Sequence, residues 1–374
     1  MEQEAPPLLE TPFHGFHIEH DAKLIDFAGW EMPIRYGSII EEHKQVREAG
    51  GLFDVSHMGR IEFSGKDAQR YLEHILTRRI GNMHDYTCRY SLICNEEGGV
   101  KDDVIVYRFS DKWMLVVNAS NREKILGHLD DNKAGYKVKI NDKTESTAMI
   151  ALQGPKVMEI IGRFSEEVPD LKRYSFCVKS VMTAKIIISR TGYTGEDGVE
   201  VILPAKLASM ALKLMLKDPA DTIDIKPSGL GARDSLRIEA AMPLYSHELD
   251  EETDPFTAGL DFAVSLNKDE EEDGEPFIGQ DALKKFKAEG PQRTLVGLKL
   301  KGRRTPRQGN AIYKDGEQLG AVTSGCLSPT LGHPIALAYV TPNACKVGDK
   351  VLIAAGSSRV DGEIIPLPFY KRAT

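Results

Sequence analysis

Alternating apolar and polar residues between positions 90 and 118 predict three strands joined by short turns. Strands are expected at Tyr90–Cys94, Val100–Phe109 and Trp113–Asn118, because a period of two places apolar side chains on one face of a sheet. The segments between them, Glu96–Gly99 and Ser110–Lys112, contain the Gly, Ser and Asp residues that favour turns. The pattern therefore predicts an antiparallel meander.

Helices are predicted on both sides of this meander. Ser38–Glu41 has the Ser-x-x-Glu pattern of a capping box, and Gly50 would end the helix that follows it. Another helix is expected at Lys66–Leu76, and Ser120–Glu123 is a second capping box. Two further strands flank a Gly-rich turn: Lys185–Ser189 and Val199–Leu203. Because the elements do not alternate as βαβ units, the predicted fold class is α+β.

The pattern changes near residue 290. Five consecutive acids within Asn267–Gly274 favour a solvated loop or linker, and a short helix at Gln280–Ala288 ends at the chain-breaking Glu289–Pro291. The strands predicted beyond it are Leu295–Leu300, Asn310–Lys314, Gln318–Thr323, Ile335–Val340 and Lys350–Ala354. The second and third of these form a hairpin around Asp315-Gly316. We therefore expect one region at residues 1–289 and a small β-barrel or sandwich at residues 290–374.

Composition narrows the functional classes. The chain has 374 residues, of which 41% are apolar, and a net charge of −8, so it is long enough for two or three folded domains. An acidic balance argues against nucleic-acid binding and against a membrane surface held by basic patches. The five cysteines include no CxxC pair, so we expect buried or idle thiols in a reducing compartment. The N-terminus resembles neither a signal nor a transit peptide, which favours a cytoplasmic location.

Two neighbouring acids are the first candidates for chemistry. On a strand, Asp102 shares a face with Val104 and Val106, whereas Asp103 shares one with Ile105 and Tyr107. A carboxylate beside the more aromatic face could meet a flat polar ligand. The alternative is that both acids follow a Gly-Gly turn and face water.

Other candidates are weaker. Arg190–Glu200 has three glycines within seven residues, which let the backbone approach a ligand or adopt positive φ, or which simply form an acidic hairpin loop. Arg233 could bind a carboxylate with two hydrogen bonds, or form a salt bridge at the start of a helix. Two other groups remain as side possibilities. His14, His17 and His20 could share a helix face as metal ligands, and Arg303, Arg304 and Arg307 form a basic group that could be solvated.

Seven segments carry a family resemblance: Phe27–Pro33, Leu52–Met58, Gly98–Asp103, Leu152–Pro155, Arg190–Glu200, Gly229–Glu239 and Thr323–Gly332. Each is weak alone, but they follow one another in order and at natural spacing from about Thr11 to Tyr370. On these segments the chain resembles the glycine cleavage T-protein family. The resemblance implies a three-domain cloverleaf. Two interleaved α+β domains lie within residues 1–289, and a C-terminal β-barrel completes a central channel that binds folate.

The resemblance also implies a reaction and its partners. H-protein carries an aminomethyl group on its lipoyl arm, and the enzyme transfers the methylene to tetrahydrofolate as co-substrate. The products are 5,10-methylenetetrahydrofolate, ammonia and dihydrolipoyl H-protein. No metal, nucleic acid or membrane partner is implied.

The family's catalytic acid matches Asp103, which agrees with the strand-face argument. Such a carboxylate would orient the acceptor and assist proton movement, an effect typically worth about 10²–10⁴-fold in rate. Other positions resemble family residues around folate: Tyr90, Val117, Asn118, Tyr174, Tyr193, Glu200, Arg233 and Tyr370. Among these, Glu200 resembles the residue that accepts hydrogen bonds from the pterin ring, and Arg233 a cation near the folate.

The chain departs from the family pattern in two places. Asp261-Phe262 replaces a Trp-containing segment, and Glu270–Asp273 resembles an insertion; neither is expected to contact the site residues. Two alternatives share this scaffold, a folate-dependent demethylase and a folate-binding iron–sulfur assembly factor. The demethylases diverge around the acid pair, which is intact here, and the assembly factors carry a Lys-Gly-Cys signature that is absent, since Cys326 follows Ser324-Gly325.

Overall fold

The computed structural model describes residues 7–181, 183–216, 225–270, 274–356 and 358–372. Within these residues the α-helices are α1 (His14–Glu19), α2 (Ile39–Glu48), α3 (Ala68–Ile75), α4 (Arg122–Asp131), α5 (Val157–Phe164), α6 (Glu167–Asp170), α7 (Ala208–Leu216), α8 (Leu230–Glu239) and α9 (Gln280–Glu289). The strands up to residue 204 are β1 (Lys23–Phe27), β2 (Trp30–Arg35), β3 (Gly51–Asp54), β4 (Gly59–Ser64), β5 (Thr87–Cys94), β6 (Val100–Arg108), β7 (Trp113–Val117), β8 (Lys139–Asp142), β9 (Thr147–Gln153), β10 (Phe176–Val181), β11 (Ala184–Ser189) and β12 (Gly198–Pro204). The later strands are β13 (Lys226–Pro227), β14 (Thr294–Leu300), β15 (Ala311–Lys314), β16 (Glu317–Leu327), β17 (Pro334–Val340), β18 (Lys350–Ala355) and β19 (Ser358–Ile365).

The chain folds into two compact units, each assembled from separate segments. The first unit comprises Met1–Ile61, Asp142–Gly192 and Glu196–Asp234, as far as these ranges are described. The second comprises Glu62–Asn141, Tyr193–Gly195 and Ser235–Thr374, with the same restriction. This mixed α+β organisation agrees with the predicted class. The predicted limit at 289/290 concerns domains rather than these units and stays a prediction.

The first unit contains a six-stranded sheet in the order β10-β11-β12-β9-β3-β13. Its pairings are antiparallel except for β3 with β13, which is parallel. Apolar side chains of β9 and β12, such as Ile150, Leu152 and Val201, pack with Val157 and Ile161 of α5 in one buried core. Burial of this apolar surface is the main stabilising contribution within the unit.

The second unit contains the predicted meander. Its sheet has the order β5-β6-β7-β4-β8, and both hairpin pairings are antiparallel. The helix expected at Lys66–Leu76 is observed as the shorter α3. The last predicted strand ends one residue early, because Asn118 begins the turn into a 3₁₀ helix at Ala119–Asn121.

The second unit also contains a closed six-stranded barrel in the order β14-β17-β16-β15-β18-β19. All five predicted strands of this region are observed, and β19 is an additional strand that the sequence pattern does not predict. The hairpin between β15 and β16 turns at Asp315-Gly316, whose φ angles of 54° and 90° suit the tight turns of two-stranded hairpins. Of the two predicted alternatives, barrel and sandwich, the structure shows the barrel. A closed barrel leaves no open sheet edge that could pair with another chain.

Both predicted capping boxes are wrong in their contacts, although the helices exist. Ser38, before α2, makes no side-chain capping bond, and the residue before α4 is Asn121 instead of the predicted Ser120 and makes none either. Instead Glu42 accepts hydrogen bonds from the backbone N–H groups of Tyr36 and Gly37, at 2.8 and 2.9 Å. The negative side chain therefore still lies at the positive end of α2, but one residue later than predicted.

The acidic segment after residue 267 is only partly a loop. Lys268–Glu270 forms a 3₁₀ turn, and Glu271–Asp273 lies outside the described residues. Lys268 is buried, and its ammonium group donates to Glu73 Oε2 at 2.7 Å. In the described part of the chain, no helix is long and apolar enough to cross a membrane.

Candidate functional site

The acid pair lies at the start of β6, directly after a glycine turn. Gly98 has a φ of +86°, and a Cβ on Gly99 would lie 1.8 Å from the carbonyl oxygen of Glu251, so the turn requires glycine at both positions. Because side chains alternate along the strand, Asp102 points into the core and is fully buried, whereas Asp103 is only partly buried. The possibility that both acids face water is therefore wrong.

Neutral donors hold both carboxylates. Asn118 Nδ2 donates to Asp102 Oδ1 and to Asp103 Oδ1, each at 2.8 Å. Asn121 Nδ2 donates to Asp102 Oδ1 at 2.6 Å, and the Tyr90 hydroxyl donates to Asp103 Oδ2 at 3.1 Å. The groups that orient the acids of β6 thus come from the adjacent strand β5 and from the turn that follows β7. The structure brings together three predicted site residues: Tyr90, Asp103 and Asn118.

This environment favours the protonated form of the acids. Burial raises the pKa of Asp103, and burial together with the negative charge of Asp103 raises the pKa of Asp102. Hydrogen bonds to the amide groups oppose the increase without reversing it. Burial and the charge of Asp103 also raise the pKa of Tyr90 well above its usual value, so its phenol stays protonated. The pair can therefore accept a proton from a bound amine more readily than a solvated carboxylate could.

A second candidate cluster lies in the first unit around Glu200 of β12. The buried Glu200 accepts a hydrogen bond from Thr191 Oγ1 at 2.5 Å, and Ser189 Oγ lies 2.8 Å from that hydroxyl. Burial raises the pKa of Glu200, whereas the positive charge of Arg233 opposes this increase. Arg233 lies in the first turn of α8. Glu200 and Arg233 are thus electrostatically coupled, as two residues that bind one polar ligand could be.

His57 is a buried residue near this cluster that is not among the predicted site residues. Its Nδ1 is buried without a hydrogen-bond partner among the described residues. Burial lowers the pKa of His57 to about 3, and the positive charge of Arg233 contributes, while Asp54 opposes the shift. The ring is therefore neutral at physiological pH. Its position after β3, among polar residues that end an apolar strand, is the signal that could have identified it.

Of the three glycines in the Arg190–Glu200 loop, Gly195 has the predicted positive φ, at +82°, and the other two serve the protein's own packing. A Cβ on Gly192 would lie 2.0 Å from Gln153 Oε1, and one on Gly198 would lie 2.6 Å from Gln153 Nε2. Gln153 Nε2 also donates to the carbonyl oxygen of Thr191 at 3.1 Å. Close approach of a ligand is thus not needed to explain these two glycines.

Two predicted tyrosines of the second unit are tied down by backbone contacts. The Tyr193 hydroxyl donates to the carbonyl oxygen of Pro243, and Tyr193 also contributes to the raised pKa of Tyr90. The backbone N–H of Tyr370 donates to the carbonyl oxygen of Glu239 at 2.8 Å. The C-terminal segment is therefore fixed at its backbone, and Tyr370 is only partly buried.

The other two predicted positions differ from each other. Val117 is fully buried in β7. Tyr174, in the first unit, is exposed and has a φ of +60°, a conformation that costs energy for a residue with a side chain. Contacts of these residues with folate stay predictions.

Similarity to known proteins assigns this arrangement to a family. The sequence matches the GCVT N-terminal domain over residues 13–268 and the glycine cleavage T-protein C-terminal barrel domain over residues 293–371. The chain belongs to the glycine cleavage T-protein family. An aminomethyltransferase of Rubrobacter xylanophilus is 46% identical over 98% of this chain and 95% of the relative. One of Thermotoga maritima is 42% identical, over 96% and 97%.

A solved structure supports the same assignment. The crystal structure of glycine cleavage system aminomethyltransferase T from Bartonella henselae matches with a TM-score of 0.90 and 31% identity, over 97% of this chain and 98% of that chain. As a member of the T-protein family, the chain is an enzyme of the aminomethyltransferase class. None of these similarities favours a demethylase or an iron–sulfur assembly factor.

One T-protein motif, Thr323–Gly332, has a structural role here. Thr323 Oγ1 donates to Glu248 Oε1 at 2.6 Å, and Thr330 Oγ1 donates to Glu239 Oε2 at 2.8 Å. Glu248 and Glu239 are both buried. The hydroxyl groups of this motif thus satisfy two buried carboxylates.

The expectation that Asp261-Phe262 contacts no site residue is wrong. The ring of Phe262 stacks on the ring of Tyr90, with centroids 5.8 Å apart and planes at 29°. Phe262 therefore contacts the residue whose hydroxyl donates to Asp103, so this departure from the T-protein pattern lies next to the site. The sequence could not show this contact, because Phe262 and Tyr90 belong to distant segments.

The three histidines do not form one metal site. His17 contacts Asp54 Oδ2 at 2.9 Å, and His20 contacts the carbonyl oxygen of Phe16. Among the described residues, the group of possible metal ligands that lies together is Glu10, His14 and Glu31. Glu31 lies 2.6 Å from Nε2 of His14 and Glu10 3.5 Å from its Nδ1. The two carboxylates thus flank opposite nitrogens of one ring, which suits direct contacts with the ring better than a shared ion.

Proposed function

We propose that this chain transfers a methylene group from the aminomethylated lipoyl arm of H-protein to tetrahydrofolate. The products would be 5,10-methylenetetrahydrofolate, ammonia and dihydrolipoyl H-protein. The observation that carries the proposal is the oriented pair Asp102-Asp103, because it provides a proton acceptor of raised pKa inside a near-full-length T-protein match. Tetrahydrofolate is a co-substrate in this reaction.

Asp103 is proposed to contact the reacting nitrogens of tetrahydrofolate. Its carboxylate would accept the proton that a folate nitrogen loses when the new carbon–nitrogen bond forms. Tyr90 and Asn118 hold the two oxygens of Asp103 by hydrogen bonds. Asp102 would keep Asn118 in place by accepting its hydrogen bond, and the negative charge of Asp103 raises the pKa of Asp102. The remaining rate increase is assigned to positioning of the two reactants.

The other predicted residues are proposed to bind folate. Glu200 Oε2 accepts a hydrogen bond from Thr191. The Glu200 carboxylate could also accept hydrogen bonds from the N–H donors of a pterin ring. Arg233 would bind near the folate, and its positive charge opposes the increase that burial causes in the pKa of Glu200. The residues proposed to line the rest of the binding site are Val117, Tyr174, Tyr193 and Tyr370.

Turnover with defined substrates tests the proposal. The assay contains aminomethylated H-protein and tetrahydrofolate, and it follows methylenetetrahydrofolate and ammonia separately. We expect both products, in equal amounts, only when both substrates are present. Binding of tetrahydrofolate without turnover would contradict the proposal and would call for assays with methylated amines and sulfonium compounds, the substrates of the demethylase alternative.

Two coarser expectations accompany this function. We propose that residues 1–289 and 290–374 are separate domains, which limited proteolysis would test by cleavage between residues 267 and 293. We also propose a cytoplasmic location, for which fractionation of the native cells is the measurement.

A further inference from the structure

Phe262 is a large apolar residue with an unusual position. Its side chain is 59% exposed, the second-highest exposure among the large apolar residues described, yet its ring is stacked on Tyr90. An exposed ring buries little apolar surface, so it contributes little to the stability of the fold. Its specific contact with Tyr90 is therefore what distinguishes this residue from others on the surface.

The backbone around Phe262 is fixed independently of its side chain. The nearby residues Leu260 and Ala263 are buried in the core that also contains Leu92. Thr77 Oγ1 donates to the carbonyl oxygen of Ala263 at 2.7 Å, and the N–H of Ser265 donates to the carbonyl oxygen of Thr77 at 3.0 Å. Replacement of the Phe262 ring should therefore leave this turn in place.

Tyr90 is held from two sides. Its ring packs against Phe262, and its carbonyl oxygen accepts a hydrogen bond from Arg78 Nη1 at 3.3 Å. The Arg78 guanidinium also lies 6.0 Å from the centre of the Phe262 ring, a distance compatible with a cation–π contact. Among the described residues, the Tyr90 hydroxyl donates to Asp103 Oδ2 at 3.1 Å, and the direction of this bond depends on the orientation of the ring that carries the hydroxyl.

We propose that Phe262 is a positioning residue for the transfer reaction: its ring holds the Tyr90 ring so that the Tyr90 hydroxyl donates to Asp103. Phe262 acts through Tyr90 and needs no contact with either substrate. The role in transfer rests on the function proposed above, whereas the effect on Tyr90 does not.

Steady-state kinetics test the role of Phe262 in the transfer reaction. Phe262→Ala should lower kcat by about 3- to 10-fold, the factor that corresponds to an aromatic pair, and leave KM for tetrahydrofolate unchanged. Phe262→Trp should keep the kcat of the unmodified chain, because an aromatic ring still packs on Tyr90. The control is Val347→Ala, since Val347 is 62% exposed and lies in the loop between β17 and β18. A rise in KM alone, or an unchanged kcat in Phe262→Ala, would overturn the proposal.

A double-mutant cycle tests whether Phe262 acts through the Tyr90 hydroxyl. Tyr90→Phe removes only that hydroxyl, so adding Phe262→Ala to it should lower kcat no further. If the two single effects multiply instead, Phe262 acts independently of the hydroxyl and the proposal is wrong.

A structural measurement separates this proposal from the proposed function. Crystal structures of Phe262→Ala and Phe262→Trp give the distance from Tyr90 Oη to Asp103 Oδ2, which is 3.1 Å with Phe262 present. We expect it to lengthen in Phe262→Ala and to persist in Phe262→Trp. An unchanged distance in Phe262→Ala refutes the positioning role even in an active enzyme. A lengthened distance in a chain without turnover would instead contradict only the proposed reaction.

Discussion

Two groups of carboxylates in the second unit accept hydrogen bonds from different kinds of donor. Glu248 accepts a hydrogen bond from Arg237 Nη1 at 2.8 Å, and both side chains are at most 1% exposed. Asp102 and Asp103 accept hydrogen bonds from amide and phenol groups, and among the described residues no cation pairs with either. The first arrangement is thus an ion pair, and the second is a pair of like charges.

The difference indicates different roles. A buried carboxylate beside a guanidinium stays charged, and removal of either partner leaves an uncompensated charge in the core. Two neighbouring carboxylates with only neutral donors bind protons more tightly instead, as the raised pKa values of Asp102 and Asp103 indicate. Such an arrangement costs stability and is characteristic of sites where protons move. Arg237 and Glu248 should therefore matter for folding, and Asp103 for turnover.

The largest expected effect is on turnover. Asp103→Asn should lower kcat by about 10²–10⁴-fold, because the amide cannot accept a proton, while tetrahydrofolate binding measured by calorimetry stays nearly the same. Asp102→Asn is the matched variant, one residue away and on the opposite strand face, and it should lose less. An equal loss from Asp102→Asn alone would show that Asp103 is the wrong choice of proton acceptor.

The second effect is on stability. Arg237→Met should lower the free energy of unfolding by about 3–5 kcal/mol, because it leaves Glu248 buried without its cation. Lys301→Met breaks the exposed Lys301–Asp361 pair, in which the side chains are 79% and 59% exposed, and should change stability by less than about 1 kcal/mol. Denaturant unfolding of both variants is the measurement. Similar losses of unfolding free energy in Arg237→Met and Lys301→Met would show that the buried Arg237–Glu248 pair contributes no more to stability than the exposed pair.

A smaller effect concerns the pH dependence of stability. Because the pKa of Asp103 in the folded state is raised above its ordinary value of 3.8, ionisation of this carboxyl destabilises the fold. That cost appears as the pH rises through 3.8 and is complete above the folded-state pKa. Each tenfold difference in proton affinity between the folded and unfolded states corresponds to about 1.4 kcal/mol. Asp103→Asn should therefore gain stability relative to the unmodified chain as the pH rises through this range.

A matched variant should show the opposite sign. The hydrogen bond from Lys314 Nζ, at 2.7 Å, lowers the pKa of Asp349 in the barrel. Asp349→Asn should therefore lose stability relative to the unmodified chain as the pH rises through the acidic range. Unfolding curves at several pH values give both slopes. Slopes of the same sign for Asp103→Asn and Asp349→Asn would show that the acid pair carries no electrostatic strain.

The meander and the barrel could be predicted from the sequence because their signals are local. Strands such as β18 alternate between more and less buried positions, and short turns such as Asp315-Gly316 join neighbours in sequence. The same alternation places Asp102 and Asp103 on opposite faces of β6 from the sequence alone.

Only part of the six-stranded sheet could be predicted in the same way: β11 and β12 confirm the strands expected at Lys185–Ser189 and Val199–Leu203, but the rest of the sheet could not be predicted. In β9, every residue after Thr147 is buried, so both faces are apolar and no period of two is visible. Strand β13 has two residues and pairs in parallel with Gly51-Leu52, which are far away in the sequence. Pairing at this distance depends on the assembled core rather than on a local pattern.

Side-chain partners of the site show the same limit. The family resemblance implies Tyr90 and Asn118, which do contact Asp103. Asn121 lies within a predicted capping box, but its side chain donates to Asp102. Phe262 is expected from the sequence to contact no site residue, yet it packs on Tyr90. For both Asn121 and Phe262, the prediction is based on the residues nearby in the sequence, whereas the observed contacts are with residues that are distant in the sequence and close in space.

The smallest predicted effect concerns Glu200, which is intermediate between the two groups of carboxylates. It is buried like Asp102 of the acid pair, but the positive charge of Arg233 opposes the increase in its pKa. Arg233→Ala should therefore weaken tetrahydrofolate binding by about tenfold, or about 1.4 kcal/mol, both by loss of its own contact and by protonation of Glu200. Arg233→Lys keeps the charge but not the two-pronged geometry, so it should lose less affinity. Calorimetry at two pH values separates the contributions. If protonation of Glu200 contributes, the loss of tetrahydrofolate affinity in Arg233→Ala should be smaller at the higher pH. Unchanged affinity in Arg233→Ala at both pH values would show that Arg233 does not take part in tetrahydrofolate binding.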